Sequence, residues 1–412
     1  MFYQYTKVLA NRNFLLLWLG QVISQFGDRL TQMALIGLVY EFKPGSSLGL
    51  ANMFSLAIVP VFLISPIAGV YIERWNKQKT MYISDFFRGI LILSIPFVSS
   101  RPLIYFFIFL SFCLGRFFLP AKMAIIPSLV EKKDFLMANS LISITAMIAA
   151  VLGFGIGGML VERWGVKSAF YLDAATFFCS ALFVAFMRIK ENASFDPKDI
   201  IELGREAIKK VRSSFVVEVK EGLSYIFSSR ETRYTARIQF ALFAAIGSLY
   251  TIFIVFMQKT LSTVTSDLGW LAVGMGTGLF FGSLFYGKFG TKISIKKVIY
   301  LSLLFSGVHL LTFTLFLKFH PNKMIALLSC VFLGVLCAPI VIALNTLIHK
   351  DSEDRFWGRI FSSMEVVIHL AFILFMFIAS FLAERMSPFT IIASVSIIII
   401  CFSSAGLIRN HD

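Results

Sequence analysis

Charge is what this chain has least of. Only 15% of its 412 residues are Asp, Glu, Lys or Arg, against about a quarter in soluble globular domains. Mean hydropathy is +0.81, and apolar runs of about twenty residues, long enough to cross a hydrocarbon core, recur along the chain. This deficit excludes a soluble enzyme or binding module. Extended polar sequence is equally scarce: residues 188–234 are the one long hydrophilic stretch, so no soluble domain of useful size remains. Acids are rarer than bases, 23 against 38. The resulting charge of +15 does not point to nucleic acid, because the bases sit in short loops between apolar runs, where they orient membrane proteins. The five cysteines, Cys113, Cys179, Cys330, Cys337 and Cys401, lie inside apolar runs without metal-ligand spacing and read as packing residues. The five histidines, His309, His320, His349, His369 and His411, are scattered. Integral-membrane enzymes need clustered His or Asp motifs, so neither enzyme activity, metal nor cofactor is expected.

What is present is a series of spans. We read twelve, at 14–40, 48–72, 81–99, 102–122, 138–160, 166–187, 235–258, 268–289, 298–318, 323–347, 359–383 and 388–408. The first run is too long for a signal-peptide core and carries Asp28 at its middle, so it reads as a retained span. Loops after even-numbered spans hold thirteen Lys and Arg, Lys122 among them; loops after odd-numbered spans hold eight. The even loops and both termini are therefore expected in the cytoplasm. The domain reading is an N-terminal six-helix bundle at 1–187, a cytoplasmic linker with amphipathic helices at 188–234, and a C-terminal six-helix bundle at 235–412. In the linker, Ile200, Leu203, Ala207, Ile208 and Val211 recur at helical spacing with charges between them, the pattern of a helix lying on a membrane face.

A motif repeats at the ends of every third span. Span 2 ends Gly69-x3-Glu73-Arg74-Trp75, and span 5 ends Gly158-x3-Glu162-Arg163-Trp164. Span 8 ends Ser283-x3-Gly287-Lys288-Phe289, and span 11 ends Ser380-x3-Glu384-Arg385-Met386. Each has a small residue, an acid (lost in span 8), a base and a large apolar residue in register. Three-helix units used four times, alternate units inverted, make a two-bundle transporter with its site at mid-membrane. The expected fold is thus all-α and integral to the membrane: twelve transmembrane helices in two six-helix bundles, each of two inverted three-helix repeats. The small residues let neighbouring helices approach closely, as Gly153, Gly157 and Gly158 in span 5 and Gly274, Gly278 and Gly282 in span 8 also should.

Over essentially its full length the chain resembles the major facilitator superfamily. Gly69-x3-Glu73-Arg74-x-Asn76-Lys77-x-Lys79 is similar to that family's loop 2–3 signature, with Glu73 for the usual Asp and Asn76 for the usual Gly. Gly153-Phe154-x-x-Gly157-Gly158 resembles its span-5 antiporter motif, with Phe154 for proline. Phe26-Gly27-Asp28-Arg29-Leu30, Phe118-x-Pro120-Ala121-Lys122 and Leu172-Asp173-Ala174 resemble a bacterial branch of macrolide and multidrug efflux pumps, enterobactin exporters and lysophospholipid transporters. The resemblance implies a monomer in a bacterial inner membrane that moves a small amphipathic substrate or a lipid, with protons or sodium as coupling ion.

Ionisable groups inside a membrane cost about 2.5–3.5 kcal/mol each on insertion scales, so each asks for a partner or a role. Gln21, Ser24, Gln25, Asp28, Thr31 and Gln32 form one polar stripe down span 1. There Asp28 is the first candidate for proton coupling, with Gln25 and Arg29 beside it. Arg116 occupies the position of the family's span-4 arginine, for which the resemblance implies proton coupling or contact with an anionic substrate. Glu365 and His369, four apart on span 11, could form a protonation switch. Asp85, Arg88 and Asp173 read as partners for the hairpin charges, His309 as structural and Asn345 as a cavity-lining residue. The hairpin of Gly69, Glu73, Arg74 and Lys77 reads as a cytoplasmic gate latch, formed in one state of alternating access. The leading function is a proton-coupled exporter of drugs or other amphipathic molecules; the alternatives are a lysophospholipid flippase and a non-transporting receptor or sensor.

Overall fold

The computed structural model describes residues 2–189, 230–290, 294–351 and 357–409. They form an all-α membrane fold, and no strand occurs among them. The first half contains α1 (Phe2–Leu9), α2 (Arg12–Phe42), α3 (Ser47–Leu63), α4 (Ser65–Arg74), α5 (Lys77–Ser94), α6 (Arg101–Leu129), α7 (Phe135–Trp164) and α8 (Val166–Ala185). The second contains α9 (Arg230–Leu261), α10 (Ser266–Phe289), α11 (Ile295–Phe319), α12 (Lys323–Asp351), α13 (Trp357–Leu382) and α14 (Pro388–Arg409). Nine helical segments among the described residues are long and apolar enough to cross a membrane, and Ser47–Leu63 and Val366–Leu382 are shorter apolar helices. The long α2 stands outside that set because its polar stripe lowers its hydropathy.

Three expected spans change shape. The second, read as continuous over 48–72, is two helices broken at Ile64. The second segment opens with a proline at its first turn, which has no backbone N–H to continue the ladder. The fourth, read as 102–122, runs from Arg101 to Leu129 through Pro120 and Pro127. Lys122 therefore lies inside a helix and is buried; it is not a loop charge. The fifth runs to Trp164, taking Glu162 and Arg163 into the helix. It stops at Gly165, whose φ of +81° is open to glycine at little cost.

Contacts divide the chain into two compact units. One holds the residues up to Leu38 and the chain from Met53 through α8; the other holds Val39–Asn52 and the helices from α9 onward. The Val39–Asn52 segment joins the second through contacts such as Lys43 Nζ to Glu384 Oε2 at 3.6 Å. In the first unit α5 packs on α6 and α8; in the second α11 packs on α12 and α14. The third helix of each half thus has equivalent neighbours, a packing echo of the repeat.

Small residues set the closest crossings. A Cβ on Gly278 would stand 1.9 Å from the Val331 carbonyl oxygen, and one on Gly282 2.6 Å from that of Val335, so α10 and α12 touch backbone to backbone. A Cβ on Gly153 would meet Arg29 Cβ at 2.7 Å, and one on Gly157 the Leu30 Cα at 3.3 Å. Gly158 is buried on the same helix. Gly69 differs from the expectation of close approach: it is exposed, and a Cβ there would meet nothing within 4 Å.

Candidate functional site

The polar stripe of span 1 is one face of α2, as its spacing requires. Gln21, Ser24, Gln25, Asp28, Arg29 and Gln32 line a cavity of about 490 Å³ inside the first unit, within the volume range of small-molecule pockets. Across from them α5 supplies Asp85 and Arg88, α6 supplies Phe112, Arg116, Phe118, Leu119 and Lys122, and α7 supplies Ile142, Ser143 and Ala146.

Arg88 is the centre of the charge network. Its Nη2 donates to Asp28 Oδ1 at 2.7 Å, and its Nη1 lies 3.6 Å from Asp85 Oδ1. The second distance is an ion pair, beyond hydrogen-bond range. Asp85 Oδ2 accepts from the Ser180 hydroxyl at 2.6 Å, while its Oδ1 has no hydrogen-bond donor. The Arg88 guanidinium also lies 4.0 Å from the centroid of Phe177, a cation–π contact. Exposure differs sharply among the three side chains: 34% for Asp28, 11% for Arg88 and 1% for Asp85. Asp28 is the member open to the cavity.

Asp173 is fully buried behind this network. Its carboxylate accepts from Thr31 at 2.5 Å and Thr176 at 3.0 Å. Asp173, Thr176 and Ser180 recur at helical spacing on one face of α8, and α2 presents glycine to them. A Cβ on Gly27 would lie 2.2 Å from Asp173 Oδ1 and 2.0 Å from Thr176 Oγ1. Thr31, Asp28, Arg88 and Asp173 also share a small void of about 10 Å³, room for about one water.

Two further cations of the cavity hydrogen-bond to neutral partners. Lys122 Nζ donates to Gln21 Oε1 at 3.0 Å, and Gln25 Nε2 donates to the same oxygen at 3.4 Å. Arg29 Nη1 donates to Gln32 Oε1 at 3.0 Å, with its guanidinium 5.2 Å from the Phe154 centroid. Phe154, which replaces the motif's proline, thus gives Arg29 an aromatic face.

The structure therefore gathers Asp28, Arg29, Gln25 and Arg116 into one cavity. It corrects the reading of Asp85, Arg88 and Asp173 as partners of the hairpin charges: their partners among the described residues build the network on Asp28. Lys122, Ser180 and Thr176 were not singled out for the site. The helical spacing of Asp173 with Thr176 and Ser180 is a local signal for the two hydroxyls; Lys122 has none, since its helix runs past the expected end. His369 is half-buried on α13, whereas the Glu365 side chain lies outside the described residues, as do those of Asn345, Glu73 and Arg74. The linker reading at 188–234 likewise falls mostly outside them. His309 has a packing role: its Nε2 is 3.0 Å from the Ser329 carbonyl, and its ring stacks on Phe313.

The described backbone of the hairpin shows why Asn76 can replace glycine. Its side-chain oxygen accepts the Lys79 N–H at 2.8 Å, capping α5. Gln78 donates to the carbonyls of Val184 at 2.9 Å and Met187 at 2.8 Å, tying this turn to the end of α8. Trp75 packs on Tyr71 and Phe117, with ring centroids 4.6 and 6.0 Å apart.

The family model described as Major Facilitator Superfamily matches residues 17–256 and 235–409. The putative bacilysin exporter BacE of Bacillus amyloliquefaciens is 24% identical over 85% of this chain and 84% of its own. Macrolide efflux protein A of Streptococcus pyogenes is 21% identical over 90% of this chain and 89% of its own. Among solved structures, a POT family transporter in complex with 5-aminolevulinic acid superposes with a TM-score of 0.72 at 12% identity. That match covers 97% of this chain and 96% of the other.

Proposed function

Since the chain belongs to the major facilitator superfamily and is a membrane transporter of that type, we propose that it is a secondary-active exporter of amphipathic small molecules, working by alternating access and driven by proton exchange. Its relatives include exporters by name, which supports the direction of transport. The single observation that carries the coupling assignment is the sharing of Arg88 between a cavity-facing acid and a buried one.

The chemistry follows from that geometry. With Asp28 ionised, Arg88 donates to it at 2.7 Å and leaves Asp85 Oδ1 without a hydrogen bond. A proton arriving from the cavity on Asp28 removes half of that charge-assisted bond. Arg88 then moves toward Asp85 Oδ1, which has a lone pair waiting. Protonation thus becomes a displacement of a side chain held between α2 and α5, and such a displacement biases an equilibrium between two states. Loss of the proton returns Arg88 to Asp28. The hairpin of Gly69, Glu73, Arg74 and Lys77 we assign to gating, and Glu365 with His369 to a second protonation site on α13. With Lys122 and Arg163 both counted inside their helices, even loops carry twelve bases against seven. This supports cytoplasmic termini in a cell membrane, with six-helix bundles at 1–187 and 235–412 joined by the 188–234 linker.

Proteoliposomes test the assignment with erythromycin, the dipeptide Ala-Tyr and dansylglycine as probes, under an imposed pH gradient or an imposed sodium gradient. Wild-type protein should concentrate at least one probe under the pH gradient. Asp28→Asn should lose gradient-driven accumulation while retaining substrate exchange. A full driven rate in Asp28→Asn, or drive by sodium alone, overturns proton coupling through Asp28.

A further inference from the structure

We infer that the substrate is an organic anion on an apolar body, and that Lys122 and Arg29 contact its charged group. This rests on the export reading only in taking the cavity of the first unit as the place the substrate occupies.

The cavity wall holds four bases, Arg29, Arg88, Arg116 and Lys122, and two acids, Asp28 and Asp85. Both acids already face Arg88. A cationic substrate would have to compete with the Arg88 guanidinium for each of them. Lys122 and Arg29, by contrast, form no ion pair among the described residues. Lys122 is 8% exposed and, among the described residues, spends one of its three N–H donors, on Gln21. Arg29 spends one donor on Gln32, and its Nε is buried without an acceptor.

The glutamines complete the argument. The Gln21 oxygen accepts from both Lys122 and Gln25, and the Gln32 oxygen accepts from Arg29. Among the described residues both acceptor positions of the Gln21 oxygen and one of the Gln32 oxygen are therefore taken, and the Gln32 amide N–H groups remain to donate. The result is a set of spare N–H donors next to two cations whose described hydrogen-bond partners are neutral. Carboxylate and phosphate oxygens only accept hydrogen bonds, so an anion both satisfies the donors and neutralises the cations; a neutral alcohol can do only the first, and a cation neither. Phe118 and Leu119 on α6 and Ile142 on α7 supply the apolar wall for the rest of the molecule.

The test is equilibrium binding to the purified full-length protein in detergent, read by dansyl fluorescence. Three probes share one apolar body: dansylglycine (anion), dansylglycinamide (neutral) and dansylcadaverine (cation). Dansylglycine should bind about tenfold tighter than either of the others, the discrimination expected of a hydrogen bond to a charged group. Lys122→Gln and Arg29→Gln should each weaken dansylglycine about tenfold and leave dansylglycinamide unchanged; Lys122→Arg should retain the preference. Displacement of dansylglycine by lysophosphatidate identifies the source of the anion. A lipid that binds tighter than dansylglycine points to a headgroup, a weaker one to a soluble acid, and either supports the anionic class. The inference falls if dansylglycine shows no saturable binding, if it binds no tighter than the amide or the cation, or if both Gln variants keep wild-type affinity. The wild-type probe series needs no variant to fold. Failure of proton coupling would appear separately, as gradient-independent transport with the anion preference intact.

Discussion

Replacing Arg88 with methionine isolates the network from every other feature of the cavity. Methionine keeps much of the arginine stem and its packing on Phe177, but removes the charge shared by Asp28 and Asp85. The two acids should then differ in what they lose. Asp85, 1% exposed, keeps one hydrogen bond from Ser180 and loses its cation. Breaking a buried pair by deleting one partner costs about 3–5 kcal/mol. Asp28, at 34% exposed, can turn to cavity water and should contribute about 1 kcal/mol or less. The destabilisation of Arg88→Met should therefore come chiefly from Asp85. Asp85→Asn in the Arg88→Met background should recover most of it, whereas Asp28→Asn in that background should recover little. Asp85→Asn alone, with Ser180 still able to donate and Arg88 still paired with Asp28, should cost about 1 kcal/mol. Unfolding by SDS titration, followed by tryptophan fluorescence, gives the four corners of each double-mutant cycle. Wild-type stability in Arg88→Met, or better rescue by Asp28→Asn than by Asp85→Asn, would refute the division of labour on which the coupling scheme depends.

Two further outcomes test the packing. Gly278→Ala places a methyl group against the Val331 carbonyl and should cost about 1–3 kcal/mol as overpacking, whereas Gly69→Ala, with open space around it, should match or slightly exceed wild-type stability; both are read in the same SDS titration. Asn76→Ala removes the cap on α5 and should cost about 1 kcal/mol, while Asn76→Gly, the residue usual in the family signature, should cost only a few tenths.

The spans and their all-helical class were legible because a hydrocarbon solvent imposes one rule on every span, and that rule is written in composition. The polar face of α2 was legible for the same reason: six polar residues at spacings of three and four cannot all point into lipid. The network partners were not. Asp85 and Arg88 follow closely on the charged hairpin, so proximity in sequence assigned them to it. In the structure they sit two and three turns into α5, facing α2 and α8. Lys122 was misread through a boundary. Placing the end of span 4 at 122 turned a buried cation into a loop charge, and only the continuation of α6 through two prolines to Leu129 reveals it. Single charges near a span end are ambiguous because helix length is not fixed by hydropathy. Their partners, on helices distant in sequence, leave no local trace.

The two units use the same helical plan with different chemistry. In the first, described ionisable groups lie deep between helices and share one cavity. In the second, the ion pairs among described residues are Lys43 with Glu384 and Lys323 with Asp267, all at helix ends. Among the described residues it also has neutral polar contacts deep between helices, such as the 2.8 Å hydroxyl pair of Thr251 and Ser380. Inserting an ionised side chain is costly, so a duplicated fold gains nothing by keeping a charge cluster in both copies unless both use it. On the coupling proposed above, the network of the first unit carries the Asp28 site, while the described helix crossings of the second rest on hydroxyl pairs and glycines, such as the backbone contact of α10 with α12. Substitutions that alter coupling should therefore fall on α2, α5, α6 and α8 and at Glu365 and His369 of α13, and those along the Gly274–Gly282 crossing should change stability without changing which ion drives transport. A coupling-ion change produced by Gly278→Ala, measured in the same proteoliposomes, would contradict that separation.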